Sequence, residues 1–477
     1  MPGPRTTVEL LRAVAAEHPD RAALVDVERR LTFAEWDRAA DGVAAYLAQR
    51  GVGVGDVVAL HIDSSIEYAV AYQAATRLRA ITTGINTRLG PFEVKSILKR
   101  TDPAVILRPA DLDAIRDAYE WEPLDLPDPH PADAVAIVWT SGTTGLPKGA
   151  VFDHDNLRAV AIGAGALGEP FDVRIAPIPF AHVGFMSRTW EEISKYITTV
   201  ITSTPWNASE MLMLLARERV TAGQGVPTQW RLLLDHPEFE ATDVSSLRIA
   251  GTGAAVVPPE LVREMESRLG CPVVIGYSST EAAIATGTVP GDSPEVISRT
   301  VGRARVNVEL ELVDDDGVPV ATGTVGRVRV RSAAVMRGYW EDPERTEEVL
   351  DDDGWLTLGD LGSLDENGYL TLAGRKSEMY IRGGYNVYPA EVERVLSGHP
   401  DVVHVAIVGV PDPVLGEIGV AFVVAAAGTT PELDALRAFC CESLADYKAP
   451  DRLHLLDALP VSNMGKVDKR SLASLVS

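Results

Sequence analysis

An apolar run at 134–139 leads into Thr140-Ser141-Gly142-Thr143-Thr144-Gly145-Leu146-Pro147-Lys148-Gly149, ten residues with four hydroxyls, three glycines and one ammonium. The run reads as a strand, and Gly149-Ala150-Val151-Phe152 reads as a second strand, not a helix. Small side chains let backbone N–H groups approach an anion closely, and hydroxyls with Lys148 add donors and charge. A Walker-type loop has a different spacing and opens directly into a helix. The chain must therefore fold around a phosphate cradle held between two strands.

A chain of 477 residues is too long for one ordinary core, so two or more domains are expected. Apolar residues make up 46%, yet no stretch has the length and apolarity of a membrane span. The start, Met1-Pro2-Gly3-Pro4-Arg5, lacks the apolar core of a signal peptide, and a soluble cytoplasmic protein is expected. Cys271, Cys440 and Cys441 offer neither a disulfide framework nor metal-ligand spacing and read as small buried hydrophobes. A net charge of −24 argues against nucleic acid and anionic membranes, which favour basic surfaces.

Apolar residues at three-and-four spacing predict helices over 8–17, 33–50 and 65–78, with a strand over 57–61 between them. That alternation predicts an α/β layer with mostly parallel strands. Proline and aspartate make 121–133 a surface loop. A second α/β run covers 174–289, followed by short strands at 308–313, 326–331 and 369–373. Beyond 379, strands at 402–410 and 420–425 mix with helices at 389–396 and 431–444, an α+β profile.

Several further motifs follow the cradle in order: Ala250-Gly251-Thr252-Gly253-Ala254-Ala255, Gly276-Tyr277-Ser278-Ser279-Thr280-Glu281, Asp360, Gly374-Arg375-Lys376, Gly383-Gly384-Tyr385 and Gly465-Lys466. Together with the cradle they resemble the adenylate-forming superfamily of acyl- and aryl-CoA synthetases, luciferases and peptide-synthetase adenylation domains, closest to the AMP-forming acyl-CoA synthetases. The resemblance implies a large N-terminal domain, 1–375, of two α/β sheet subdomains plus a small β-barrel. A small mobile α+β lid domain, 376–477, would follow, hinged at Ser377.

It also implies roles. Thr140, Ser141, Gly142, Thr143, Thr144 and Lys148 would hold the β- and γ-phosphates of ATP. Gly253, Ala254 and Ala255 would form one side of the adenine slot, and Gly276, Tyr277 and Ser278 the other, with the ring of Tyr277 stacked on the base. Thr280 would donate to the α-phosphate and Glu281 would hold Mg²⁺. Asp360 would accept from the ribose hydroxyls, Arg375 would touch ribose and phosphate, and Lys466 would be the catalytic lysine. Gly383, Gly384 and Tyr385 would line the pantetheine tunnel of coenzyme A, with Lys448 near it.

His182, in Pro179-Phe180-Ala181-His182-Val183-Gly184, is similar to a family histidine beside the substrate carboxylate, which implies a gating role. Ala181 stands where amino-acid-activating members carry an aspartate, which disfavours an α-amino acid. The acyl pocket is expected among Val183, Phe185, Val226, Pro227, Gly251 and Ser278. Ser278 replaces a usual glycine and would shorten that pocket. No carrier domain follows Lys466 and no long insertion separates Glu281 from Gly338, so free coenzyme A is the expected acceptor. A separate carrier protein is the alternative, and a non-catalytic nucleotide-binding protein a third reading that the intact motifs disfavour.

Overall fold

The computed structural model of the chain describes residues 3–140, 147–253, 257–376, 378–461 and 467–476. The early helices form where the spacing predicts, because each has both a cap and a buried face. Thr32 and Glu35 make a capping box at the start of the helix Phe33–Gln49, which buries Phe33, Trp36, Ala40, Val43 and Leu47. Ser65 caps the helix Ile66–Arg77, whose residues are all buried. On that helix Arg77 pairs with Asp37 at 2.5 Å and Asp41 at 2.7 Å, one turn apart on the neighbouring helix.

Two α/β sheets carry most of the first part. One runs Val105–Leu107, Val57–Leu60, Ile81–Gly84, Ala134–Trp139, Gly149–Asp153; all pairings are parallel except the last, an antiparallel hairpin. The other has nine strands, in the order Arg303–Ala304, Ala283–Gly287, Val273–Ser279, Ile249–Gly253, Ala222–Gln224, Val173–Ala176, Thr198–Ile201, Ala22–Val25, Arg30–Thr32. Its middle is parallel and its edges antiparallel.

Where the resemblance implied a small barrel, the strands Glu309–Val313, Gly326–Arg331, Leu356–Leu364 and Leu370–Arg375 form an antiparallel sheet in that order. Among the described residues no ladder joins its first strand to its last, since four strands are too few to close around side chains. Past Tyr380 a separate core gathers around a five-stranded sheet and the helices Pro389–Leu396 and Leu433–Cys441. Residues 121–133 hold no helix or strand, as expected.

Cys271 and Cys440 are buried, and burial pushes both thiols up to about 11. Cys441 departs from the expectation: it is exposed, because its neighbour Cys440 takes the core-facing side of the helix. Among the described residues no helix is long and apolar enough to cross a membrane.

Candidate active site

The two strands flanking the cradle pair as an antiparallel hairpin. Trp139 pairs with Gly149, the Thr140 amide donates to the Lys148 carbonyl at 2.8 Å, and the Lys148 amide donates to the Thr140 hydroxyl at 3.3 Å. Ser141, Gly142, Thr143 and Thr144 lie outside the described residues.

Segment 336–340 stitches this hairpin to the turn bearing Glu281. The Val151 amide donates to Gly338 at 3.0 Å and the Trp340 amide to Gly149 at 2.7 Å, while the Met336 amide donates to the Glu281 carbonyl at 2.8 Å. Tyr339 thereby stands between two expected site residues. The Lys148 ammonium donates to its hydroxyl oxygen at 2.9 Å and lies 4.4 Å from its ring centroid, and the hydroxyl donates to Glu281 Oε1 at 2.8 Å. Burial, and then the Glu281 charge, raise the Tyr339 phenol far above its ordinary value, so it remains a donor. Sequence reasoning missed Tyr339; the signal was an aromatic pair, Tyr339-Trp340, directly after Gly338.

Thr280 and Glu281 are half-buried in the turn between Val273–Ser279 and Ala283–Gly287. Ala283 leaves that turn at φ 51°, a left-handed conformation that costs a non-glycine residue about 1 kcal/mol or more.

A second constellation forms around Asp360. Register sets Asp360 opposite Arg375, whose Nε lies 3.4 Å from Oδ1, and the Tyr277 hydroxyl donates to Oδ2 at 2.5 Å. Tyr277 is buried, and burial with the Asp360 charge pushes its phenol well above the usual range. Gly253 and Gly276 are register partners in adjacent parallel strands, and a Cβ on Gly253 would come 3.0 Å from the Gly276 carbonyl oxygen. Ala254 and Ala255 lie outside the described residues.

His182 caps the short helix Val183–Met186, and its Nε2 accepts from the Asn86 amide at 2.9 Å. That bond leaves the ring proton of the neutral imidazole on Nδ1. Two expected pocket residues are not open. Phe185 is buried, stacked on Phe180 with centroids 3.5 Å apart. Gly251 lies beneath Leu167, whose methyls would meet a Cβ there at 2.8 Å. Pro227 is buried and Val226 half-buried, whereas Val183 keeps partial exposure and Ser278 is exposed.

On the small domain, Gly383 and Gly384 form the two-residue turn of the hairpin Tyr380–Arg382 and Tyr385–Val387, at φ 57° and 88°. Tyr385 stacks on Tyr447 with centroids 4.5 Å apart, and Lys448 is committed to Glu391 at 2.7 Å. Ser377 and Lys466 lie outside the described residues. Either side of the Lys466 segment, Val461 and Val467 pair, and the Asp468 amide donates to Pro460 at 2.8 Å.

Comparison with known proteins agrees over nearly the whole length. Residues 11–340 match the family described as AMP-binding enzyme, and residues 391–466 match the AMP-binding enzyme C-terminal domain. The chain is 33% identical to 3-[(3aS,4S,7aS)-7a-methyl-1,5-dioxo-octahydro-1H-inden-4-yl]propanoyl:CoA ligase of Rhodococcus jostii, over 98% of both chains. It is 34% identical to indoleacetate–CoA ligase of Aromatoleum aromaticum, over 97% of this chain and 96% of that one. The structure overlays on the amide bond synthetase McbA of Marinactinospora thermotolerans with a TM-score of 0.89 and 29% identity, over 99% of this chain and 100% of that one. The chain belongs to the AMP-binding enzyme family, close to its acyl-CoA synthetases.

Proposed function

We infer that this chain is an AMP-forming carboxylate–CoA ligase, in two domains divided near Arg375, acting in the cytoplasm. The observation that carries the site assignment is the Lys148–Tyr339–Glu281 bridge, which ties the phosphate hairpin to the only acidic residue of the 276–281 motif.

In the first half-reaction a carboxylate oxygen attacks the α-phosphorus of ATP, forming the acyl-adenylate and releasing pyrophosphate. Residues 140–148 bind the leaving phosphates, Thr280 donates to the α-phosphate, and Lys466 balances the charge that concentrates between carboxylate and phosphorus. Tyr277 and the adjacent glycines take the adenine, and Asp360 and Arg375 the ribose. In the second half-reaction the thiol of coenzyme A attacks the acyl carbonyl and AMP leaves. Rotation of the small domain near Ser377 withdraws Lys466 and brings the 383–385 turn toward the acyl group.

Glu281 suits Mg²⁺ on a nucleotide. Its carboxylate, held at Oε1 by the Tyr339 hydroxyl, would hold the ion, since such sites need only one or two carboxylates besides phosphate oxygens. When bound, the ion would neutralise charge on the triphosphate. His182, its ring set by Asn86, stands at the carboxylate side as a gate. The overlay on an amide bond synthetase supports a second reading in which another nucleophile, an amine or a carrier-protein thiol, takes the acyl group.

The test is acid-dependent exchange of labelled pyrophosphate into ATP across an acid panel, then product analysis with coenzyme A, a carrier protein or an amine. Exchange should fall by about two orders of magnitude or more in Lys466→Ala, a loss on the scale of removing one transition-state donor. Undiminished exchange in that variant, or none with any acid in the native enzyme, overturns the reading.

A further inference from the structure

Among the described residues, Arg305 is an inward-facing cation without a counter-ion. Its amide donates to the Ala285 carbonyl at 3.0 Å, fixing it against the strand Ala283–Gly287. Its guanidinium fits between two glycines: a Cβ on Gly165 would come 2.5 Å from Nη1, and one on Gly287 would overlap Nη2. Among the described residues no carboxylate pairs with it, and the buried Nε has no acceptor. The charge that acts on it is another cation, Arg188, which is committed to Glu191 at 2.7 Å. Burial and that like charge both oppose its ionisation. The fully buried arginines Arg77 and Arg174, by contrast, have carboxylate partners: Arg77 has Asp37 and Asp41, Arg174 has Glu191 and Glu192. An uncompensated guanidinium is costly inside a fold, and such a charge calls for a partner from outside the chain.

Its place narrows what that partner is. Gly287 is the register partner of Gly276, and Gly251 the partner of Val274, so strand alternation sets Gly251, Gly276, Ser278 and Gly287 on one face of the sheet. The segment 165–167 lies over that same face, Gly165 against Arg305 and Leu167 against Gly251. Ser278, the residue expected to bound the acyl pocket, is two positions from Gly276, about 7 Å along the strand. The Arg305 guanidinium, set against Gly287, therefore lies over the same sheet face as Ser278, about two strand positions away.

We propose that Arg305 is a specificity-determining residue that receives a second carboxylate on the acyl substrate, making the preferred acids dicarboxylic. This rests on the ligase reading, since it names the substrate class of that same site. A guanidinium recognises a carboxylate as a bidentate pair, two parallel N–H···O bonds to its oxygens.

The test compares kcat/KM for glutarate, adipate and pimelate with their monomethyl esters and with alkanoates of equal length. It uses the native enzyme, Arg305→Met, and Gly287→Ala, which keeps the charge but displaces the guanidinium. Thermal shifts with the free dicarboxylates give a readout independent of turnover. The native enzyme should favour the best dicarboxylate over its ester by at least about tenfold, as sites that pair a polar group reject analogues lacking it. Both substitutions should reduce that ratio and the thermal shift together. No dicarboxylate preference in the native enzyme, a ratio unchanged in both variants, or a stronger preference for keto- or phenol-bearing acids overturns the proposal. If exchange fails with every acid while dicarboxylates still stabilise the native enzyme and not Arg305→Met, the ligase reading falls and the Arg305 site stands.

Discussion

The hydroxyl of Tyr277 donates to Asp360 at 2.5 Å, joining the nine-stranded sheet to the four-stranded sheet that precedes the small domain. A hydrogen bond from a buried phenol to a carboxylate orients the acceptor and leaves its other oxygen to Arg375. Tyr277→Phe keeps the ring but frees Asp360. The expected result is a several-fold rise in KM for ATP and a loss of about 1–3 kcal/mol in unfolding free energy. Steady-state kinetics with denaturant titration check it; an unaltered KM would show that Asp360 needs no orienting partner.

Tyr339→Phe removes the oxygen bridging Lys148 and Glu281 while keeping the ring face under the ammonium. Pyrophosphate exchange at saturating ATP should drop by about tenfold or more, the scale of losing one hydrogen bond to a charged group. Thioester formation from a supplied acyl-adenylate should change little. Equal losses in both half-reactions would mean that Tyr339 supports the fold and not the phosphate site.

Ser278 is exposed on the strand that leads to Glu281. Replacing it with glycine opens the space by a hydroxymethyl group. The kcat/KM profile should move toward longer acids by about one methylene, a difference of roughly 1–3 kcal/mol in discrimination. A profile that stays put refutes a pocket-limiting role.

His154 is fully buried, with Nδ1 accepting from the Thr7 amide and Nε2 without a partner among the described residues, and burial lowers its pKa to about 4. The folded state thus favours the neutral ring. Its contribution is complete above the unfolded value near 6.5 and is lost as pH falls from there toward 4, about 2 kcal/mol by pH 5. Denaturation midpoints at pH 7 and pH 5 should differ in the native protein, and the difference should shrink in His154→Leu.

The sequence announced elements wherever one short pattern governs one short element. The apolar spacing that predicts helices over 33–50 and 65–78 is reproduced at Phe33–Gln49 and Ile66–Arg77, and the strand after Lys148 pairs back on the strand before Thr140. Gly383-Gly384 makes the tight hairpin turn that two adjacent glycines permit. What stayed hidden depends on distant partners. Nothing local to Tyr339 says that Lys148 and Glu281 converge on it from 191 and 58 residues away. Nor does Phe185 reveal that it stacks on Phe180 instead of facing a pocket, or Gly251 that Leu167 fills the room it leaves. In the sequence Arg305 looks like any surface arginine, and only the two glycines that admit it mark it out.

The pairing of Val461 with Val467 bears on how such an enzyme keeps time. Leu472, five residues past Val467, is fully buried against Ala406 and Phe422, so this end of the chain is rooted in the small domain's own core. Under the ligase reading the catalytic lysine would belong to this body, so one displacement of the small domain would both end the first chemical step and admit the second.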